Sequence, residues 1–185
     1  MDAMALIHCL HEHRAAVNTQ LREAATKLSE QSLRQSFDIG QGSIWKSLLH
    51  LYAAEYVWLA ALEGEQTPLT PGDLPGKIPG NQQGPDAIET LAELCSRWTE
   101  LEKRWGSYLK TLTAAQLDDL VTKANNSGQI FQTRRADVLL HVCTHAQYTV
   151  AQVLNMLRHV GHTPLPDVML ISLARRQMLE RGQSK

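Results

Sequence analysis

Residues 139–152 read LLHVCTHAQYTVAQ, an apolar run without glycine or proline. Its two histidines, His141 and His145, stand four residues apart. On a helix that spacing puts both imidazoles on one face, one turn apart, with Cβ atoms roughly 5–6 Å from each other. Two ring nitrogens so placed can share one metal ion. A second apolar run, SIWKSLLHLYAAEYVWLAAL at 43–62, carries His50. Packing the two runs together would bring three histidines to one point. The alternative is that they are core residues satisfied by hydrogen bonds, and spacing alone leaves both readings open. The motif is HxxxH, without the glutamate that supplies the general base in HExxH zinc proteases.

The surroundings of His50 favour a cavity. Ser43, Ser47, Ala54 and Ala61 share its helix face at steps of three, four and seven. Such small neighbours leave room around an imidazole, where a purely structural histidine is packed by larger side chains. Leu48, Tyr52, Leu59 and Leu62 form the apolar stripe. Glu55, five positions beyond His50, points elsewhere, so no general base is assigned.

Working outward, the 3.6-residue period predicts four long helices. The first covers 5–28 on Ile7, Leu10, Val17, Leu21 and Leu28. Its early cluster of His8, His11, Glu12 and His13 reads as a solvated helix start, with His8 and Glu12 as a possible chelating pair. Residues 29–42 read as a polar loop. The second helix runs 43–63, with Ser43 as N-cap and Gly64 as the residue that ends it. The third, 86–112, starts at a D-x-x-E signal, Asp86 and Glu89, and carries Leu91, Leu94, Trp98, Leu101, Trp105, Tyr108 and Leu112. The fourth, 133–160, is capped by Thr133 and stopped by Gly161, with Pro164 beyond; a short helix over 167–179 and a charged tail follow.

Between the second and third helices, residues 64–85 hold five of the seven prolines and five of the eleven glycines. No regular element fits there, and the segment either covers the site or serves only as a crossover. Before the fourth helix, LVTKA and QIFQT flank Asn125-Asn126-Ser127-Gly128, a hairpin signal. The expected fold class is therefore all-α, an up-down four-helix bundle with a small β-hairpin before the fourth helix, in a single domain over 1–185. Metal sites of bundles are built from side chains on facing helices.

The 185 residues are 43% hydrophobic and 20% charged, with a net charge of −1. No basic stripe supports nucleic-acid binding, and no apolar run reaches the roughly 20 residues that span a bilayer. Cys9, Cys95 and Cys143 are odd in number and widely spaced, as in reduced thiols of a cytoplasmic protein. The charged and histidine-rich N-terminus does not resemble a signal peptide. Ser-His-Asp, paired-carboxylate and Walker signatures are absent.

The order of parts, with a histidine in the second helix, a hairpin, LLHVCTHAQYTVAQVLNMLRHVG in the fourth helix and the ending GHTPLPD, resembles the DinB-like (damage-inducible) family of metalloenzymes. The resemblance covers nearly the whole chain. It implies a four-helix bundle in which three histidines bind a divalent metal, zinc or nickel. It also implies a homodimer, for which the apolar stripes of the first and third helices give a surface. The family pattern in the fourth helix is LLHVxxHxxxHRGQ. Leu139, Leu140, His141, Val142, His145 and Gln152 match it, while Thr149, Val150 and Ala151 stand where the family has His-Arg-Gly. His50 and His145 thus carry over as ligands, and His141, or more weakly Tyr148, is the candidate substitute for the third. With one family ligand missing, the metal is expected to be weakly held or absent.

The resemblance implies a metal-dependent enzyme on a small-molecule substrate, a hydrolase or a thiol-dependent transferase with a low-molecular-weight thiol cosubstrate. The rival expectation is a non-catalytic dimeric binding protein with a degenerate metal site, and the replacement at Thr149 speaks for it.

Overall fold

The computed structural model describes residues 2–183, with side chains through residue 180; the last residues of the charged tail lie outside the described residues. Six helices and a hairpin follow one another as α1 (Ala3–Ala25), α2 (Glu30–Arg34), α3 (Ile44–Leu62), α4 (Leu91–Thr111), a 3₁₀ turn (Ala114–Asp118), β1 (Leu120–Ala124), β2 (Ile130–Arg134), α5 (Arg135–His159) and α6 (Leu170–Gln183). The four long ones, α1, α3, α4 and α5, make the bundle, so the all-α class with a hairpin before the last long helix is what the chain forms.

Local chemistry sets the boundaries, and several differ from the sequence expectation. Asp2 caps α1 by accepting the Ala5 N–H at 2.7 Å. That helix ends at Thr26, so Leu28 packs on the core from a turn and not from the helix. Inside the expected loop at 29–42, Ser29 caps the short α2 through the Ser32 N–H. Ser43 caps α3 as read, accepting from the Lys46 N–H at 3.1 Å. Asp86 does not start α4. It sits at φ 60° in the crossover, and Thr90 caps the helix through the Glu93 N–H at 3.2 Å. Nor does Thr133 cap α5, because it pairs with Val121 in the hairpin. The helix begins at Arg135, with the Arg134 guanidinium held by Asp137 at 3.0 Å. The last helix starts at Leu170, three residues later than expected, after Asp167 accepts the Met169 N–H.

α5 packs most extensively on α3 and also on α1, while α4 packs on α1 and α3. Side-chain pairs give the directions. His50 meets His145, and Arg135 meets the Leu62 carbonyl, so α3 and α5 are antiparallel. Arg14 reaches Glu102 and Arg22 reaches Thr99, so α1 and α4 are antiparallel. Tyr52 lies against Trp98 and Glu63 pairs with Arg104, so α3 and α4 run parallel. The up-down alternation therefore holds from α1 to α3 and from α4 to α5, and the two middle helices share one direction.

Leu94, Trp98, Leu101 and Trp105 of α4 and Val17 and Leu21 of α1 are buried in the core. The stripes that suggested a dimer surface are thus consumed within the bundle. The large exposed apolar side chains of the C-terminal segment are Met169, Leu170, Ile171, Met178 and Leu179.

At the centre of the bundle lies a buried ionic group. Arg14 binds Glu102 through two nitrogens, at 3.0 and 2.8 Å, and also contacts Glu55. Asn18 donates to both carboxylates, at 2.8 and 3.1 Å. Glu102 occupies both ends of the guanidinium fork, which leaves Glu55 as the surplus carboxyl. Burial pushes Glu55 up to about 7, against the pull of Arg14. A carboxyl raised in this way stabilises the fold fully below its unfolded value of 4.5 and loses that contribution as pH rises through about 7. Glu55→Gln should flatten the stability profile between those pH values, as measured by urea unfolding. Arg14→Met leaves two carboxylates in the core without their cation and should cost about 3–5 kcal/mol in the same assay.

Candidate functional site

The antiparallel seam of α3 and α5 carries the histidines. His50 is half-buried on α3, and His145 faces it from α5 with Nε2 atoms 3.2 Å apart. Their rings meet edge to face, with centroids at 5.1 Å. The other nitrogen of His50, Nδ1, lies 2.8 Å from the Pro79 carbonyl and must donate to it. That bond fixes the tautomer and leaves the Nε2 lone pair turned to His145, the outer-shell arrangement found around metal-ligating imidazoles. Burial, then His50, lower the pKa of His145 to about 4, so it is neutral near pH 7. Nitrogens about 2.0–2.1 Å from a tetrahedral zinc stand about 3.3 Å from each other. The observed pair therefore fits a shared cation, and it also fits an N–H···N hydrogen bond.

His141 is one turn earlier on α5, with its ring 5.8 Å from that of His145. It packs edge-on against Trp58 at 5.1 Å, and burial lowers its pKa. Among the described residues no group of three or more His, Cys, Asp or Glu side chains is arranged to hold a metal ion. The three histidines line one cavity, and two of them meet at ligand distance. Thr149, at the family's third-ligand position, is 1% exposed and does not line this cavity. Tyr148 is 68% exposed and does not line it either.

The cavity holds about 640 Å³. α3 contributes Ala54, Val57 and Trp58, the crossover Pro79, and the hairpin Val121 and Phe131. Ala54 supplies the space that the sequence suggested. Behind Pro79 a second cavity of about 560 Å³ also borders His50 and is lined by Arg34, Trp45 and Lys46.

The crossover is a wall of the site. Asp73 is buried and accepts from the backbone N–H groups of Gly80 and Gln82, at 2.7 and 2.8 Å, and from the Gln82 amide. Gly80 has φ 85°, and a Cβ there would come within 2.6 Å of the His50 backbone. Only glycine lets this strap lie on α3 and bring the Pro79 carbonyl to the imidazole. Sequence reasoning missed Pro79 and Trp58. The Pro-Gly pairs of the crossover mark turns but do not show which helix they touch.

The N-terminal histidines are not a solvated cluster. His11 is buried and donates to the Leu139 carbonyl at 3.2 Å, and His13 is buried and donates to the Val168 carbonyl at 2.9 Å. They tie α1 to α5 and to the segment before α6. Burial, then Arg14, push His11 down to about 3. Glu55 does point away from His50, into the ionic group of the core. Cys9, Cys95 and Cys143 are free thiols, and no described helix is long and apolar enough to cross a membrane.

A sequence profile of the DinB superfamily matches residues 15–153. Among solved structures, YjoA, a DinB-like protein of Bacillus subtilis, aligns with a TM-score of 0.59 at 16% identity, covering 86% of this chain and 97% of that one. YfiT of Bacillus subtilis is described as a probable metal-dependent hydrolase with an unusual four-helix bundle topology. It gives a TM-score of 0.58 at 20% identity over 85% of this chain and 86% of its own. At these identities the likeness is one of fold. No curated protein sequence matches.

Two glycines test the wall. Gly64 and Gly80 both have positive φ, but a Cβ on Gly64 meets nothing within 4 Å. Gly64→Ala should cost about 1–2 kcal/mol, the penalty for an L-residue in the left-handed region. Gly80→Ala should cost distinctly more in urea unfolding, and it alone should shift the imidazole NMR signals of His50.

Proposed function

The chain belongs to the DinB superfamily, and on that footing we propose that it is a metal-dependent enzyme of small-molecule chemistry, a hydrolase or a thiol-dependent transferase. His50 and His145 hold a divalent cation, zinc or nickel, between α3 and α5, with His141 at its edge. The observation that carries this reading is the 3.2 Å Nε2–Nε2 pair whose His50 ring is oriented by the Pro79 carbonyl. The description of YfiT as a probable metal-dependent hydrolase supports the hydrolase arm.

A cation bound there supplies Lewis acidity to an oxygen, or holds a thiolate, in a site with open positions. The chain's own groups do the rest. The Pro79 carbonyl keeps a proton on His50 Nδ1, so that Nε2 stays free. Val57, Trp58 and Phe131 give the cavity apolar walls beside the histidine pair. Among the described residues no Asp or Glu lines the cavity, and His141, one turn from His145, is placed to take or give a proton next to the pair.

One observation favours a second reading, a binding protein with a degenerate site: only two imidazoles meet, and Thr149 stands at the position of the missing ligand. Metal titration of tag-free protein, followed by calorimetry with zinc and by cobalt absorbance, separates the two. His50→Ala or His145→Ala should abolish binding. Thr149→His should strengthen it by restoring the family's third ligand, and loss of binding in His141→Ala would make His141 the substitute. Unchanged metal binding in all four variants would make the histidines core residues and remove the enzyme reading.

A further inference from the structure

The hairpin turns a defined face to the histidine cavity. Strand residues two apart share a face, and Val121 and Lys123 of β1 do so. Their cross-strand partners are Thr133 and Phe131, and all four line the cavity. Among the described lining residues Lys123 is the one with a formal charge, and no Asp or Glu accompanies it. It forms no ion pair with any described residue. Its Nζ donates to the Ala124 carbonyl at 3.0 Å and lies 5.1 Å from the Trp58 ring centre. Trp58 in turn lies 5.1 Å from His141. The ammonium is therefore separated from the histidines by one indole, inside the same cavity.

A half-buried ammonium without a counter-charge is costly unless a ligand supplies one. Burial lowers the pKa of Lys123, as expected of a cation short of negative partners. We propose that the cavity takes a small organic carboxylate, its carboxylate bound by Lys123 and its apolar body enclosed by Trp58 and Phe131. This deepens the metal-site reading, because it directs the rest of such a molecule toward His50 and His145. A carboxylate suits the site better than a phosphate. Phosphate sites are typically built from the arginine fork or several backbone N–H groups, and among the described residues the cavity has one lysine and no arginine.

The test uses chelator-treated, metal-free protein, with the Trp58 indole N–H signal, assigned through Trp58→Phe, as the readout. The probes are benzoate, its neutral analogue benzamide, and phenyl phosphate. Benzoate should shift the signal in the native sequence. Lys123→Met should weaken benzoate roughly tenfold or more, the worth of one hydrogen bond to a charged group, and leave benzamide unchanged. Lys123→Arg should retain benzoate. The proposal is overturned if benzoate causes no shift, if Lys123→Met weakens benzoate and benzamide alike, or if phenyl phosphate binds more tightly than benzoate. Zinc titration of the histidine variants judges the metal reading separately, so either can fail alone.

Discussion

The fixed point of the molecule is Arg14. Its guanidinium joins α1 to Glu55, buried on α3, and to the partly buried Glu102 on α4. Buried ion pairs add little net stability, but they penalise any register in which a charge loses its partner. Three helices are thus indexed against one another at one level of the bundle. Glu55 is five residues from His50 on the same helix, so the same contact sets the level at which His50 sits in the bundle. His11, one turn before Arg14 on α1, donates to the backbone of Leu139 and ties α5 to the same level. The site is placed by groups that never touch it.

The four long helices were legible because each carries a local signal repeated over five turns or more. Trp98 and Trp105 fall on the same stripe and are fully buried, as a 3.6-residue period requires. The hairpin was legible from Asn-Asn-Ser-Gly between β-branched residues. Errors gathered where two signals competed. The D-x-x-E at Asp86 lost to Thr90-x-x-Glu93, because the crossover needs Asp86 in a left-handed turn. Thr133 could cap a helix or pair in a strand, and tertiary contact with Val121 decided for the strand.

The histidine pair was legible for a different reason. His50 and His145 lie near the middle of two long apolar runs, and antiparallel packing brings middles together. Polar partners further away in sequence were not. His11 and His13 look exposed in the polar early turns of the first helix, but their acceptors are backbone carbonyls more than a hundred residues on. Likewise nothing in the sequence around Lys123 indicates that Trp58 lies beneath it.

The parallel course of α3 and α4 has a topological consequence. A chain leaving one end of α3 must return along the whole bundle before it can start α4. With 19 residues in α3 that journey is about 28 Å, at 1.5 Å per residue. Extended backbone covers such a distance in about nine residues. The segment from 64 to 90 is roughly three times that long. Most of it is surplus to connectivity, and that surplus is the material from which the strap over His50 is made. Direction alone would tolerate a drastic shortening of this return path; the shelter of the imidazole would not.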